Sequence, residues 1–130
     1  MRETGHEAIV VVGAGNGGIG VIEAGSEDAN LAGIVIVSSP RSVVDAAGTI
    51  QVQLSDGTLS ALTMPSLWIG ARTDLLSQVE ELEALATNSE SELWIYEGNS
   101  MHGTFILESL DGPDMERRLL DFFGRVLSDS

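Results

Sequence analysis

The stretch Ile9-Val10-Val11-Val12-Gly13-Ala14-Gly15-Asn16-Gly17-Gly18 decides how this chain folds. Residues 8–14 are an unbroken apolar run rich in β-branched side chains, which marks a strand buried on both faces. The glycines that follow let the backbone turn where a larger residue would clash. Apolar residues resume at 19–24 as a short helix, with Gly25 as its expected stop. Strand, glycine turn and helix in that order open a parallel α/β layer, because a chain leaving a buried strand must cross back over its sheet.

The rest of the chain repeats the alternation. Residues 32–37 are a second all-apolar strand, ended by Ser38-Ser39-Pro40. Residues 66–70 are a third, introduced by Pro65, and residues 92–96 a fourth, ended by Gly98. Trp68 and Trp94 lie inside strands and read as core. Over residues 75–86, Leu75, Leu76, Val79, Leu82, Leu85 and Ala86 recur at helical spacing, with Glu80, Glu81 and Glu83 toward water. Asp74 would cap that helix or favour its positive end. Pro113-Asp114 opens a final helix through residue 127, with Met115, Leu119, Phe122, Phe123 and Val126 on its apolar face. The expected fold is therefore α/β, one domain over residues 1–130, with a parallel sheet of about four strands flanked by helices.

Residues 41–64 follow no single period. Ile50, Val52 and Leu54 alternate with Gln51 and Gln53, and Asp56-Gly57 is a turn signal, which together suggest a hairpin outside the main sheet. Equally, Ser55 could cap a short helix reaching Leu62.

Composition excludes several chemistries. Cysteine is absent, so there are no disulfides, thiolate metal sites or cysteine nucleophile. Twenty acidic residues face six basic ones, all arginine, for a formal net charge of -14. The lack of lysine rules out a Schiff base, and the negative charge would repel nucleic acid. Such acidity keeps a protein soluble and suits a salty milieu. No apolar run approaches the ~20 residues of a membrane span, and no charged segment leads into an apolar signal core. A cytoplasmic location is the default expectation.

Three blocks give the chain its resemblance to the α/β-hydrolase superfamily, especially to small dienelactone-hydrolase-like and serine-esterase-like members. Val12-Gly13-Ala14-Gly15-Asn16-Gly17-Gly18 is similar to the nucleophile elbow Gly-x-Ser-x-Gly-Gly, with glycine in the serine's place. Met64-Pro65-Ser66-Leu67-Trp68-Ile69-Gly70-Ala71-Arg72-Thr73-Asp74 resembles the strand and acid loop, Pro-x-Leu-x-x-x-Gly-x-x-Asp. Leu93-Trp94-Ile95-Tyr96-Glu97-Gly98-Asn99-Ser100-Met101-His102-Gly103 resembles the last strand and its His-Gly loop. The likeness covers nearly the whole chain but only the second half of that fold. It implies Asp74 as the acid, His102 as the general base, Gly15 at the nucleophile position and the amide of Asn16 as an oxyanion donor.

Glycine cannot attack a carbonyl. The elbow serine sits in a strained conformation costing on the order of 1–3 kcal/mol, so the replacement relaxes the turn and removes acylation together. Asn16 is no substitute, since a carboxamide is a poor nucleophile. Ser38, Ser39 and Ser100 lie on neighbouring loops and could approach His102. His6 reads as a solvated terminal residue. No cluster has convincing metal-ligand spacing, and no cofactor is expected from this resemblance.

A competing motif is present. Gly13, Gly15 and Gly18 also satisfy Gly-x-Gly-x-x-Gly after a strand, the dinucleotide fingerprint. The acid expected about 20 residues on is missing, with Ser38 and Ser39 in its place. Arg41 could instead meet a 2′-phosphate.

Three readings follow: a hydrolase-like protein without serine chemistry that acts by binding or assembly, with a small ester-like molecule as a conceivable ligand; an active hydrolase using His102 and Asp74 with another nucleophile; and a dinucleotide-binding module. In the half-fold the first strand becomes an apolar sheet edge lacking the charges and prolines that blunt exposed edges. The expected partner there is a second copy of the chain or a separately encoded first half, unless residues 49–54 cross it.

Overall fold

A computed structural model describes residues 8–76, 78–87 and 90–128; His6 lies outside them. Four strands form a wholly parallel sheet: β1 (Val10–Ala14), β2 (Gly33–Val37), β5 (Ser66–Ala71) and β6 (Ser91–Tyr96), in the spatial order β1-β2-β5-β6. Register is continuous, with Val12 opposite Val35, Ile36 opposite Trp68 and Ile69 opposite Trp94. β2 and β5 are buried along their whole length, as their uninterrupted apolar runs require of central strands. β1 is an edge, as expected from a half-fold.

The two faces carry separate cores. On one, α1 (Gly17–Glu27) and α3 (Val79–Leu85) supply Ile19, Ile22, Leu82 and Leu85, packed against Ile34, Ile36 and Trp68. On the other, α4 (Gly112–Ser128) lays Met115, Phe122 and Val126 over Val35, Val37, Leu67 and Ile69. Each fully buried aliphatic or aromatic side chain contributes about 1.5–3 kcal/mol. The sheet is thereby fixed between two layers, and its strand ends become a rigid edge.

Residues 41–64 hold both expected alternatives. β3 (Ser42–Val44) and β4 (Ile50–Gln53) form an antiparallel hairpin outside the main sheet, and α2 (Asp56–Ser60) follows it. The hairpin turn is not Asp56-Gly57. Asp45 makes it, its Oδ1 accepting from the amides of Ala47 and Thr49, with Gly48 at φ 82°. Asp56 and Gly57 instead open α2, where Ser55 Oγ accepts from Thr58 N at 3.1 Å as an N-cap.

Four further expectations are corrected. α1 does not stop at Gly25 but continues to Glu27. A Cβ there would come within 2.9 Å of Leu62, so the glycine serves close packing of α1 against the segment after α2. The helix expected over 75–86 begins only at Val79, leaving Leu75 and Leu76 in an exposed loop. Asp74 is accordingly no helix cap; its carboxylate draws residues 74–76 into a turn of their own, Oδ1 accepting from Leu76 N at 2.8 Å. Trp68 is fully buried, but Trp94 is not core: β6 is an edge strand, the residue stays 39% exposed, and the Arg118 guanidinium lies 3.3 Å from the ring centroid.

Candidate active site

Parallel strands end on one side, so the loops after β1, β2, β5 and β6 converge. They carry Gly15, Ser38, Asp74 and His102. Gly15 is the apex between β1 and α1, buried, at φ 58° in the left-handed region that glycine adopts freely. Its N–H donates to Val37 O at 2.8 Å, which ties the turn to the end of β2.

Asp74 and His102 meet. Oδ2 of Asp74 lies 2.8 Å from Nδ1 of His102, and the carboxylate side chain is 2% exposed. A buried carboxylate on Nδ1 assigns the proton to that nitrogen and leaves Nε2 as the basic one. Nε2 faces Gly15: a Cβ built there would stand 3.0 Å from it, nearer than from any other ring atom. Among the described residues Nε2 has no hydrogen-bond partner. Asp74, the imidazole and the β-carbon position of Gly15 thus lie in one line, with no side chain at the last of them.

Asn16 follows the apex as an exposed residue in right-handed helical conformation just before α1. Its backbone N–H has no hydrogen bond among the described residues.

Two residues hold the dyad's loops, and sequence reasoning missed what they do. Asn99 is 6% exposed. Its carbonyl accepts from Thr73 N at 3.2 Å and Thr73 Oγ1 at 3.0 Å, beside Asp74. Its Oδ1 accepts from Met101 N at 2.8 Å, beside His102, while Nδ2 donates to Ser109 and Asp111. Acid loop and histidine loop are thereby joined through one side chain and its carbonyl. The only signal in the sequence was a glycine-asparagine pair after a strand.

Ser38 is the other. It is a buried non-glycine residue at φ 54°, and its Oγ accepts from Gly103 N at 3.0 Å, the amide next to His102. Weighed from sequence as a substitute nucleophile, it braces the histidine loop instead. Ser39 Oγ turns to Pro40 O at 2.9 Å, and Ser100 is exposed and makes no hydrogen bond to the imidazole among the described residues.

Arg41, the candidate phosphate partner, gives Nη2 to Asp56 at 2.8 Å and Nε to Leu54 O at 3.2 Å. Among the described residues no group of three histidine, cysteine or acidic side chains is placed to hold a metal, and no helix is long and apolar enough to cross a membrane.

A four-stranded parallel sheet with an elbow-like turn, an acid and a histidine on successive strand ends is part of an α/β-hydrolase fold, and solved structures agree. The chain superposes on the esterase Pf2001 of Pyrococcus furiosus with TM-score 0.72 at 20% identity, covering 92% of this chain and 54% of that one. For the monoacylglycerol lipase of Paleococcus ferrophilus the values are 0.71, 15%, 99% and 71%. For Est1E of Butyrivibrio proteoclasticus they are 0.66, 16%, 88% and 60%. At these identities the likeness is one of fold. The chain spans about half the length of the Pyrococcus esterase. No protein-family model matches it, and no curated protein does.

Proposed function

We propose that this protein is a hydrolase-fold chain without the elbow nucleophile, one that binds a small ester-like or acyl-like molecule beside His102 and does not cleave it through a serine. One observation carries the reading: the β-carbon position of Gly15 stands 3.0 Å from His102 Nε2. The imidazole faces the spot where a nucleophilic oxygen would be delivered, and glycine delivers none. The amide of Asn16 remains as a donor to a ligand carbonyl oxygen, and the basic nitrogen of His102 as an acceptor for a ligand hydroxyl. Incubation with a fluorophosphonate probe and with short-chain nitrophenyl esters tests this. No covalent adduct and no turnover above background are expected, and labelling of any serine overturns the reading.

The intact Asp74–His102 pair at 2.8 Å favours a second reading, in which the imidazole activates a water against an ester. Turnover by the native chain that disappears in His102→Ala, with no adduct formed, would establish it. The dinucleotide reading has less support, since the arginine that would meet a 2′-phosphate already binds Asp56.

A further inference from the structure

We infer that the free edge of β1 is the interface for a second copy of this chain, paired antiparallel about a two-fold axis at Val12. Residues along a strand aim their backbone groups alternately to either side. Ile9 O accepts from Ala32 N, and Gly15 N donates to Val37 O, so the odd-numbered residues face β2. Val10, Val12 and Ala14 therefore turn their N–H and C=O groups to the open edge, where no described residue meets them. Antiparallel pairing with Val12 opposite its own copy sets Val10 opposite Ala14 twice, and all three residues on each strand are satisfied by one symmetry operation.

The side chains agree with the backbone. Val10 and Ala14 pack into the core beneath α4, so Val12 faces the same layer; it is 50% exposed. Next to it the turn of 3-10 helix at Gly103–Glu108, whose Gly103 approaches Ala14, leaves Phe105 60% exposed. A strand pair alone is smaller than the roughly 1,200 Å² of a stable interface, and this apolar layer beside it supplies further area.

The opposite edge is protected. On β6, Glu92 is ion-paired with Arg125 at 2.7 Å and Trp94 is covered by Arg118, the charged shielding that keeps an edge strand single. β1 has no such device: residues 8–22 carry no charge, in a chain of net charge -14. Two copies can meet there without opposing carboxylates. The product is a continuous eight-stranded sheet, four parallel strands from each copy. This pairing does not depend on whether position 15 can attack a carbonyl.

Sedimentation velocity and light scattering on the native chain should give twice 13.7 kDa. Val12→Lys sets like charges across the axis and should raise the dissociation constant about tenfold or more. Because the chain lacks cysteine, Val12→Cys gives a second readout. Opposed residues sit about 5.5 Å apart in Cα position, within disulfide reach, so oxidation should join two chains, whereas Leu93→Cys on β6 should stay single. This second variant decides the matter if Val12→Lys does not fold. A 13.7 kDa species at every concentration overturns the inference. So does a dimer that Val12→Cys does not cross-link, or one unchanged in a folded Val12→Lys.

Discussion

Asp74 and His102 lie 28 residues apart in sequence, yet their side chains meet at 2.8 Å, with the carboxylate buried and the imidazole 27% exposed. With His102 Nε2 facing Gly15, that contact makes position 15 a place to test. Gly15→Ser should confer serine-type ester hydrolysis that a fluorophosphonate abolishes and that His102→Ala removes. The Cβ–Nε2 separation of 3.0 Å is tight, so the half-buried imidazole must shift by a few tenths of an ångström to admit the side chain. A folded Gly15→Ser protein with no detectable adduct would mean that the remaining groups do not form a working oxyanion site.

The same substitution should cost stability. At φ 58° an L residue is disfavoured by about 1–2 kcal/mol, and the contact with His102 adds to this. Thermal unfolding should fall by several degrees, at roughly 4 °C per kcal/mol for a domain of this size. A melting temperature unchanged from the native chain would show that the turn at Gly15 is not left-handed.

Ser38 offers a cleaner test of strain. It adopts φ 54° while accepting from Gly103 N at 3.0 Å. Ser38→Ala keeps the unfavourable backbone and orphans a buried amide, at about 1–3 kcal/mol. Ser38→Gly orphans the same amide but relieves the backbone. The glycine variant should therefore melt above the alanine variant, and in both the His102 ring resonances should move in an NMR spectrum. The reverse order of melting would contradict the left-handed geometry.

The sheet and the glycine turn at its first strand end were legible because each has a local signature, uninterrupted apolar runs and clustered glycines, whereas the meeting of Asp74 with His102 was expected only from the resemblance of their blocks to a hydrolase. What was not legible depends on tertiary contact. Leu75 and Leu76 have helical spacing, but the Asp74 carboxylate, engaged with His102 and Leu76 N, pulls that segment out of the helix. Gly25 resembles a helix stop, yet only the closeness of Leu62 explains it. Trp94 has the residue type of a core position but sits on an edge strand, which only strand order reveals. Asn99 could not be singled out because its five partners come from three separate segments.

Asn99→Ala should accordingly affect both loops at once. It removes the acceptor for Met101 N and the donor to Ser109 and Asp111, in a side chain buried to 6% exposure. Loss of a buried polar hub of this kind costs about 1–3 kcal/mol. In a Gly15→Ser background, kcat should fall more than KM rises, because the group orients the imidazole without touching the ligand. A purely structural role would lower the melting temperature and leave the kcat of the folded fraction intact.

The junction between β6 and α4 sets an acid limit on the fold. Tyr96 OH donates to Asp114 Oδ2 at 2.7 Å, and Arg118 and Arg117 donate to the same carboxylate. The phenol first, then Arg118, hold Asp114 down at about 2 against the opposing effect of burial. A carboxyl whose folded pKa lies below its unfolded value contributes stability that is complete above the ordinary carboxylate range and is lost as pH falls through the folded pKa. Denaturant titrations should therefore show this contribution intact at about pH 5 and fading from about pH 4 toward 2. Tyr96→Phe removes the larger cause, so the stability gap between it and the native chain should narrow across that window. The phenol itself is pushed upward, chiefly by burial and then by Asp114, so its neutral form is retained and the corresponding stability is lost only above the ordinary tyrosine range. A gap that stays constant from pH 5 to 2 would place the stabilising effect of Tyr96 in packing and not in its hydrogen bond to Asp114.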